Sequence, residues 1–541
     1  MKKPLLCLLT LGLALFPLAA QSGGELHFAL TADPKTLHPL QVTDDNSEVI
    51  RYLTSGVLLR QNRKTQKLEP ELAESWKVLD GGKRIVFHLR QGVQFSDGTP
   101  FDAEDVRYSI MLAIDLKSPS GVGQTLRGAG DGIQVHIQQP HRVEVIFPAV
   151  LANIQVVFDG LAMLSSRSPL KERAVTGPFQ LAEYKSGAYL LLKRNPNYWK
   201  KDAAGRRLPY LDSVRIDIQA NLDAQYMRFR RGELHFLLSV QPDTFERLEK
   251  EAPSWAVDAG PSLESELLWF NLAPQSPLPD YKKAWFASRE FRRAMGAAIQ
   301  RADIARLAYR GNAEPTLSPA GAGNPLFHHG KLKPLVYDPA GAQKALLAAG
   351  FRREGHGGLA DAQGHPVEFS LMTNATNKAR QRVAALIQQD LAKIGIKLNI
   401  VALDFPSLVE RLTRSRNYET CLLSMSNLDA DPANQMNLWL SSGTNHPWYP
   451  EQKTPATSWE AEIDRLMRTV AATADLKKRK AAFDRVQEIV WDQQPMIYLV
   501  TQHALSALSP ALRQAAPVAL KPRVYWNAEY LQIDNRVARA Q

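Results

Sequence analysis

Ile85, Phe87 and Leu89 alternate with Val86, His88 and Arg90, the period of a strand with one buried face. The pattern then changes. Ser96-Asp97-Gly98-Thr99-Pro100 is a run of turn formers, and beyond it Val106, Ile110 and Ala113 recur at helical spacing. Asp102 is placed to cap that helix, with Asp105 at its third position as in a capping box. A strand, a turn and a capped helix in succession restrict the chain to folds that mix both elements. Similar signals recur downstream. Asp338-Pro339 opens a helix carrying Ala342, Ala345, Leu346 and Ala349 and closed by Gly350. A helix over 380–394 buries Val383, Leu386, Ile387 and Leu391, and Ile396, Leu398 and Ile400 follow as a strand. Thr457 with Glu460 opens a helix burying Trp459, Ile463, Leu466, Met467 and Val470, and Asp475 begins another with Phe483, Val486, Ile489 and Val490. This irregular alternation predicts an α/β protein with mixed sheets.

Lys2 and Lys3 precede an apolar run from Leu5 to Leu18, then Ala19, Ala20 and the polar Gln21-Ser22-Gly23-Gly24. Residues 1–20 are therefore predicted to be a cleaved secretory signal peptide. Pro17 interrupts the run, which is shorter than the ~18 apolar residues of a membrane span. Cys7 lies within it instead of after a small-residue cleavage box, which argues against a lipid anchor. The expected product is a soluble periplasmic protein whose only cysteine is Cys421, so no intramolecular disulfide can form. A precursor of 541 residues is long enough for several domains held by burial alone. The net charge of +11 comes from dispersed Lys and Arg. The longest basic run, Lys477-Lys478-Arg479-Lys480, is expected on a solvated helix face, and export argues against nucleic acid as a partner.

The motifs of common enzymes are missing. None of the 12 histidines begins H-E-x-x-H, and neither a G-x-S-x-G turn nor a G-x-x-x-x-G-K-S/T loop occurs. Asp429-Ala430-Asp431 begins like a calcium loop but lacks the sixth-position glycine and has Leu440 in place of the bidentate glutamate. His328-His329 lacks accompanying ligands and is expected to be solvated. No catalytic residue, metal site or cofactor is expected.

Residues 70–110, PELAESWKVLDGGKRIVFHLRQGVQFSDGTPFDAEDVRYSI, resemble the signature block of the extracellular solute-binding proteins of family 5, receptors that feed peptides, nickel chelates or oligosaccharides to ABC importers. Residues 175–179, 193–199, 291–309 and 337–351 carry the resemblance along most of the chain. It implies an α/β, two-lobed periplasmic-binding-protein clamshell, type II-like, with mixed sheets and an extra subdomain. The first lobe would comprise 21–55, 175–267 and 502–541, the extra subdomain 56–174, and the second lobe 268–501. Residues 266–272 and 495–500 would be the crossings between lobes. The function implied is a monomeric periplasmic substrate-binding protein that captures peptides by lobe closure, without covalent chemistry, and delivers them to a membrane permease. An oligosaccharide receptor is the alternative within the family; a secreted enzyme or a chaperone is the alternative outside transport.

Two segments supply the candidate ligand-binding residues. Thr31 to Pro39 resembles the family's first cleft loop and contributes Asp33 and Thr36. Ser424 to Trp459 mixes aromatic rings, amides and carboxylates as a cleft requires, and contributes Asn427, Asp429, Asp431, Asn434, Trp439, Trp448 and Tyr449. Peptide-binding relatives place an aspartate four residues before a proline to hold the ligand ammonium. Here that position is Leu428, with Asp429 and Asp431 beside it; either could serve the ligand, or cap a helix expected from Ala433 to Leu440. Where dipeptide binders place an arginine for the ligand carboxylate, this chain has Thr373 to Asn377, with Lys378 and Arg380 the nearest cations.

Overall fold

The capping box at Asp102 forms as expected. The Asp102 carboxylate accepts from the Glu104 N–H, and the Asp105 carboxylate accepts from the Asp102 N–H, both at 2.9 Å, opening a helix from Ala103 to Ile114. Asp102→Ala should cost about 0.5–2 kcal/mol, read as a lowered urea midpoint for the surrounding subdomain. The computed structural model describes residues 23–118, 120–355, 357–426, 430–534 and 536. The predicted signal peptide lies outside them. No helix among the described residues is long and apolar enough to cross a membrane.

The helix at Ala103 packs on an antiparallel sheet ordered Ala73–Leu79, Arg84–Leu89, Arg142–Ile146, Gln134–Gln139. Ile85, Phe87, Val106, Ile110 and Val143 meet in its core. Val86, expected on the open face, is buried as well, because it pairs across the sheet with Lys77 and Glu144, whose stems cover it. This is the extra subdomain.

A second sheet runs Glu25–Leu30, Ser213–Ile218, Tyr189–Arg194, Phe179–Lys185, the first pair parallel and the others antiparallel. Leu26, Phe28, Leu190, Leu192, Val214 and Ile216 fill one face. Helix Asp45–Thr54 and the C-terminal Val524, Tyr525 and Leu531 close that core. A larger mixed sheet, which carries the second lobe and reaches the first at Phe236–Leu237, is ordered Phe236–Leu237, Met496–Leu508, Ala256–Phe270, Thr420–Ser426, Glu368–Asn374, Lys397–Leu403, with Ala313–Pro315 also pairing with Met496–Leu508. One face carries helices Arg289–Ala298, Pro339–Ala348 and Lys378–Ala392. Helices Ser458–Ala472 and Leu476–Gln493 form a neighbouring core around Trp439, Trp448 and Phe483. The two-lobed α/β clamshell with an extra subdomain is therefore present.

The capped helices start where their sequences indicate, at Asp338, Thr457 and Asp475. Three expectations need correction. Ala433 to Leu440 is not one helix: a 3-10 turn Pro432–Gln435 and a single turn Met436–Trp439 meet at Gln435, whose φ of −111° breaks the helical path. The basic run at 477–480 is not wholly solvated, since Arg479 points inward and is only 1% exposed. His329 is not solvated either; it sits between Asp484 and Glu488, while His328 bonds the Ala320 carbonyl. Cys421 is a free thiol buried in the second lobe, where burial pushes its ionisation far up.

Candidate functional site

Two strands run through both lobes, and both are longer than their apolar halves suggested. Ala256–Phe270 and Met496–Leu508 pair Ala256 with Ala507 and Asp258 with Leu505 at one end, where Phe236–Leu237 joins them. At the other end Trp269 pairs with Met496, and Thr420–Ser426 lies alongside. Between these ends the ladder slips register at Asp258/Pro261, Pro261/Ser265 and Glu266/Leu267. Gly260 adopts φ +84°, and Pro261 has no N–H to donate. Each slip leaves local pairing incomplete and bends the strand, so this is the place where the ladder deforms at least cost.

Three otherwise distant segments converge on Glu264 beside those slips. Its carboxylate accepts from Arg523 at 2.9 Å and lies 4.0 Å from the Lys521 ammonium. Lys521 reaches Asp45 at 2.9 Å, at the start of helix Asp45–Thr54, and Asn46 in that helix donates to the Ala32 carbonyl at 3.1 Å. On the opposite edge Glu264 is in register with Ser426, where the chain leaves the sheet. Both candidate segments thus flank one partly exposed group of two carboxylates and two cations. A crevice of about 10 Å³, room for about one water, separates 262–264 from 519–523. Loop 320–324 seats against the same strand: a Cβ at Gly323 would fall 1.9 Å from the Ser262 carbonyl, so only glycine permits the approach.

Beneath lies a buried network. Glu266 is 0% exposed; it accepts from Arg380 Nε at 2.6 Å and from the Tyr309 hydroxyl at 2.7 Å. Arg380 also donates to Asn374 at 2.6 Å and Ser424 at 2.7 Å. Burial, reinforced by Glu266, pushes the Tyr309 phenol far up, so it stays a donor. Arg380, the cation nearest the carboxylate-binding position of dipeptide binders, is thereby committed to the strand crossing.

Contacts also close over the strands from both sides. Asp243 accepts from Arg310 and Arg382, each at 2.8 Å. From the extra subdomain, the Ala152 N–H donates to the Ala471 carbonyl at 2.9 Å, and Asn153 donates to the Asp431 carboxylate.

The residues proposed from sequence are placed as follows. Asn427 and Asp429 lie outside the described residues. The Asp431 carboxylate pairs with buried Arg479 and accepts from the Ala433 N–H at 3.0 Å, the capping role. Trp439 and Trp448 are fully buried, the first against Phe483 and bonded to Gln435, the second bonded to Glu460 at 2.9 Å. Their apolar neighbours Phe483, Ile463 and Met467 draw both rings into the core, so they do not face a cleft in this conformation. Tyr449 packs partly buried on that core, and Asn434 is exposed. Asp33 accepts from Ser186 and from the Gly187 N–H, which holds its carboxyl below the usual range. Thr36 accepts from the His38 N–H and donates its own N–H to Ser47, ordering the loop before helix Asp45–Thr54. The sequence reading missed Asp45, Glu264, Lys521 and Arg523. No motif marks them, since they meet only when the C-terminal segment returns to the first lobe. Among the described residues, no three or more His, Cys, Asp or Glu side chains are grouped to hold a metal ion.

Comparison with known proteins bears on this geometry. Residues 67–447 match the family model described as "Bacterial extracellular solute-binding proteins, family 5 Middle". A probable ABC transporter-binding protein of Deinococcus radiodurans is 27% identical over 528 residues, covering 89% of this chain and 87% of that protein. The oligopeptide-binding protein AppA of Bacillus subtilis is 25% identical over 511 residues, covering 88% and 86%. The fold is that of solved structures: AppA of Bacillus subtilis in complex with a nonapeptide superposes with a TM-score of 0.74 at 23% identity, covering 95% of this chain and 99% of that one. NikA of Brucella suis in complex with Fe(III)-EDTA gives 0.78 at 19%, covering 94% and 100%.

Proposed function

The chain belongs to the bacterial extracellular solute-binding proteins of family 5, and we propose on that premise that it captures a peptide between its lobes and delivers it to the permease of an ABC importer. Relatives described as binding oligopeptides, dipeptides and glutathione support the ligand class. The observation that carries the reading is the convergence of Asp45, Glu264, Lys521 and Arg523 beside the register slips of the two crossing strands. A peptide brings one ammonium and one carboxylate. Displacing the internal pairs, its ammonium meets Glu264 and Asp45, and its carboxylate meets Arg523 and Lys521. A ligand touching both lobes closes them, because only differential affinity for the closed form shifts the populations. The protein acts as a monomer in the periplasm and leaves its ligand chemically unchanged.

Mass spectrometry of the solute released by denaturing the purified protein should find a peptide, one per chain. X-ray scattering should show a smaller radius of gyration with that peptide bound, and the peptide should be recovered with its mass unaltered. Arg523→Ala should weaken binding about ten-fold or more with little change in melting, since the pair it breaks is partly exposed. Turnover of the peptide, or normal binding by Arg523→Ala, would refute this assignment.

A further inference from the structure

His503 stands at the slips of the crossing strands, in register with Pro261, and its ring lies between two carboxylates. Nδ1 is 2.7 Å from Asp258, and Nε2 is 3.6 Å from Glu314. Nε2 is buried and has no hydrogen-bond partner. Neither carboxylate pairs with another cation among the described residues. A neutral imidazole carries one N–H, so a ring that donates to Asp258 turns a bare lone pair toward Glu314. The imidazolium carries two and can serve both carboxylates at once.

The two carboxylates belong to opposite ends of the bend. Asp258 is in register with Leu505, close to Ala507 in the core that Tyr226, Phe229 and Leu237 form in the first lobe. Glu314 is in register with Thr501, and its neighbour Ala313 lies in the second-lobe core with Leu499 and Val500. The His503 N–H donates to the Asn312 carbonyl at 3.0 Å, which fastens the histidine to the Glu314 side. Between Asp258 and Pro261 lie a register slip and Gly260 at φ +84°, so a bend there changes the separation of Asp258 from His503. Charges on the flanking elements are engaged elsewhere. Asp243 of helix Pro242–Glu251 holds Arg310 and Arg382, and Glu246 of the same helix pairs with Lys250. Arg306 pairs with Asp303, and on the facing strand Glu264 pairs with Arg523 and Glu266 with Arg380.

We infer that His503 is a proton-operated bolt on the hinge. Protonated, it joins Asp258 to Glu314 and favours the shut lobes; neutral, it releases one of them and favours opening. This rests on the lobe closure proposed above but not on the solute being a peptide. Histidine changes charge between about pH 5 and 8, and a proton held better by the shut form favours that form as pH falls. X-ray scattering on the full protein without solute, at constant ionic strength, tests the bolt. The radius of gyration should be smaller at about pH 5 than at about pH 8, with a shut-to-open ratio about ten-fold higher at the lower pH. His503→Gln should remove that response. Glu314→Gln should remove it too, and it should melt like the parent protein, because this carboxylate is half-exposed and has no other ionic partner; it carries the test if His503→Gln melts early. Arg523→Ala, which disables the cleft proposed for peptides, should keep the pH response. Closure by solute and closure by protons are thus read in separate arms, and either can fail alone. The inference is overturned if the radius is the same at both pH values, if Glu314→Gln or a stably folded His503→Gln still responds, or if Arg523→Ala does not.

Discussion

Glu266→Gln is expected to destabilise the protein by about 3–5 kcal/mol, because it strips a buried guanidinium of its counter-charge. Glu266 is 0% exposed and the Arg380 side chain 7%, so water cannot stand in for the lost partner. Tyr309 and Gln502 also donate to this carboxylate, and one neutral amide cannot accept from all three donors as the carboxylate does. Replacing both members, as Glu266→Leu with Arg380→Met, should recover part of the loss, since a buried pair exchanged for apolar groups of similar size costs far less than a broken one. Urea unfolding followed by fluorescence measures each variant. A loss of less than about 1 kcal/mol for Glu266→Gln, the worth of an exposed pair, would show that water reaches the network.

Asp431→Asn is the second large effect, and it separates two roles for the same carboxylate. As a ligand anchor, Asp431 would lose affinity on substitution while the fold kept its melting temperature. The geometry requires the reverse. Arg479 is 1% exposed, bonds Asp431 and the Val470 carbonyl, and would be left charged in the core at a cost of about 3–5 kcal/mol. Early melting with peptide affinity reduced by less than about ten-fold is therefore expected. Normal melting with abolished binding would return Asp431 to the ligand.

Local structure was legible in the sequence, and tertiary pairing was not. Asp102, Asp338, Thr457 and Asp475 announce their helices because a cap acts within its own first turn. The apolar halves of the crossing strands were visible as Leu267 to Phe270 and Met496 to Val500. Their other halves were not, because Ala256 to Leu263 alternates poorly and is held as a strand by its pairing with Met496–Leu508. Arg479 illustrates the limit: among Lys477, Lys478 and Lys480 it reads as one more surface charge, and only the arrival of Asp431, 48 positions earlier, makes it a core residue. The tryptophans misled for a similar reason. A ring between prolines suits a binding loop or a folded-in core loop equally, and the core around Phe483 and Ile463 took Trp439 and Trp448. The resemblance to a family named the architecture; the charges at Glu264 had to be found in space.

The clasp of Ala152 and Asn153 on Ala471 and Asp431 has a cost for a transport receptor. These bonds join the extra subdomain to the second lobe and need no solute, so if lobe opening breaks them they favour the shut form of the empty protein. Every ~1.4 kcal/mol they contribute raises the ratio of shut to open empty molecules ten-fold. It also reduces by the same amount what a solute must supply to shut the lobes, so affinity and empty closure rise together. Empty shut molecules would compete with loaded ones for the permease and provoke cycles that move nothing. Clasp strength therefore sets a compromise between scavenging scarce solute and idling the importer, and Asn153 is where that compromise can be tuned without touching the cleft.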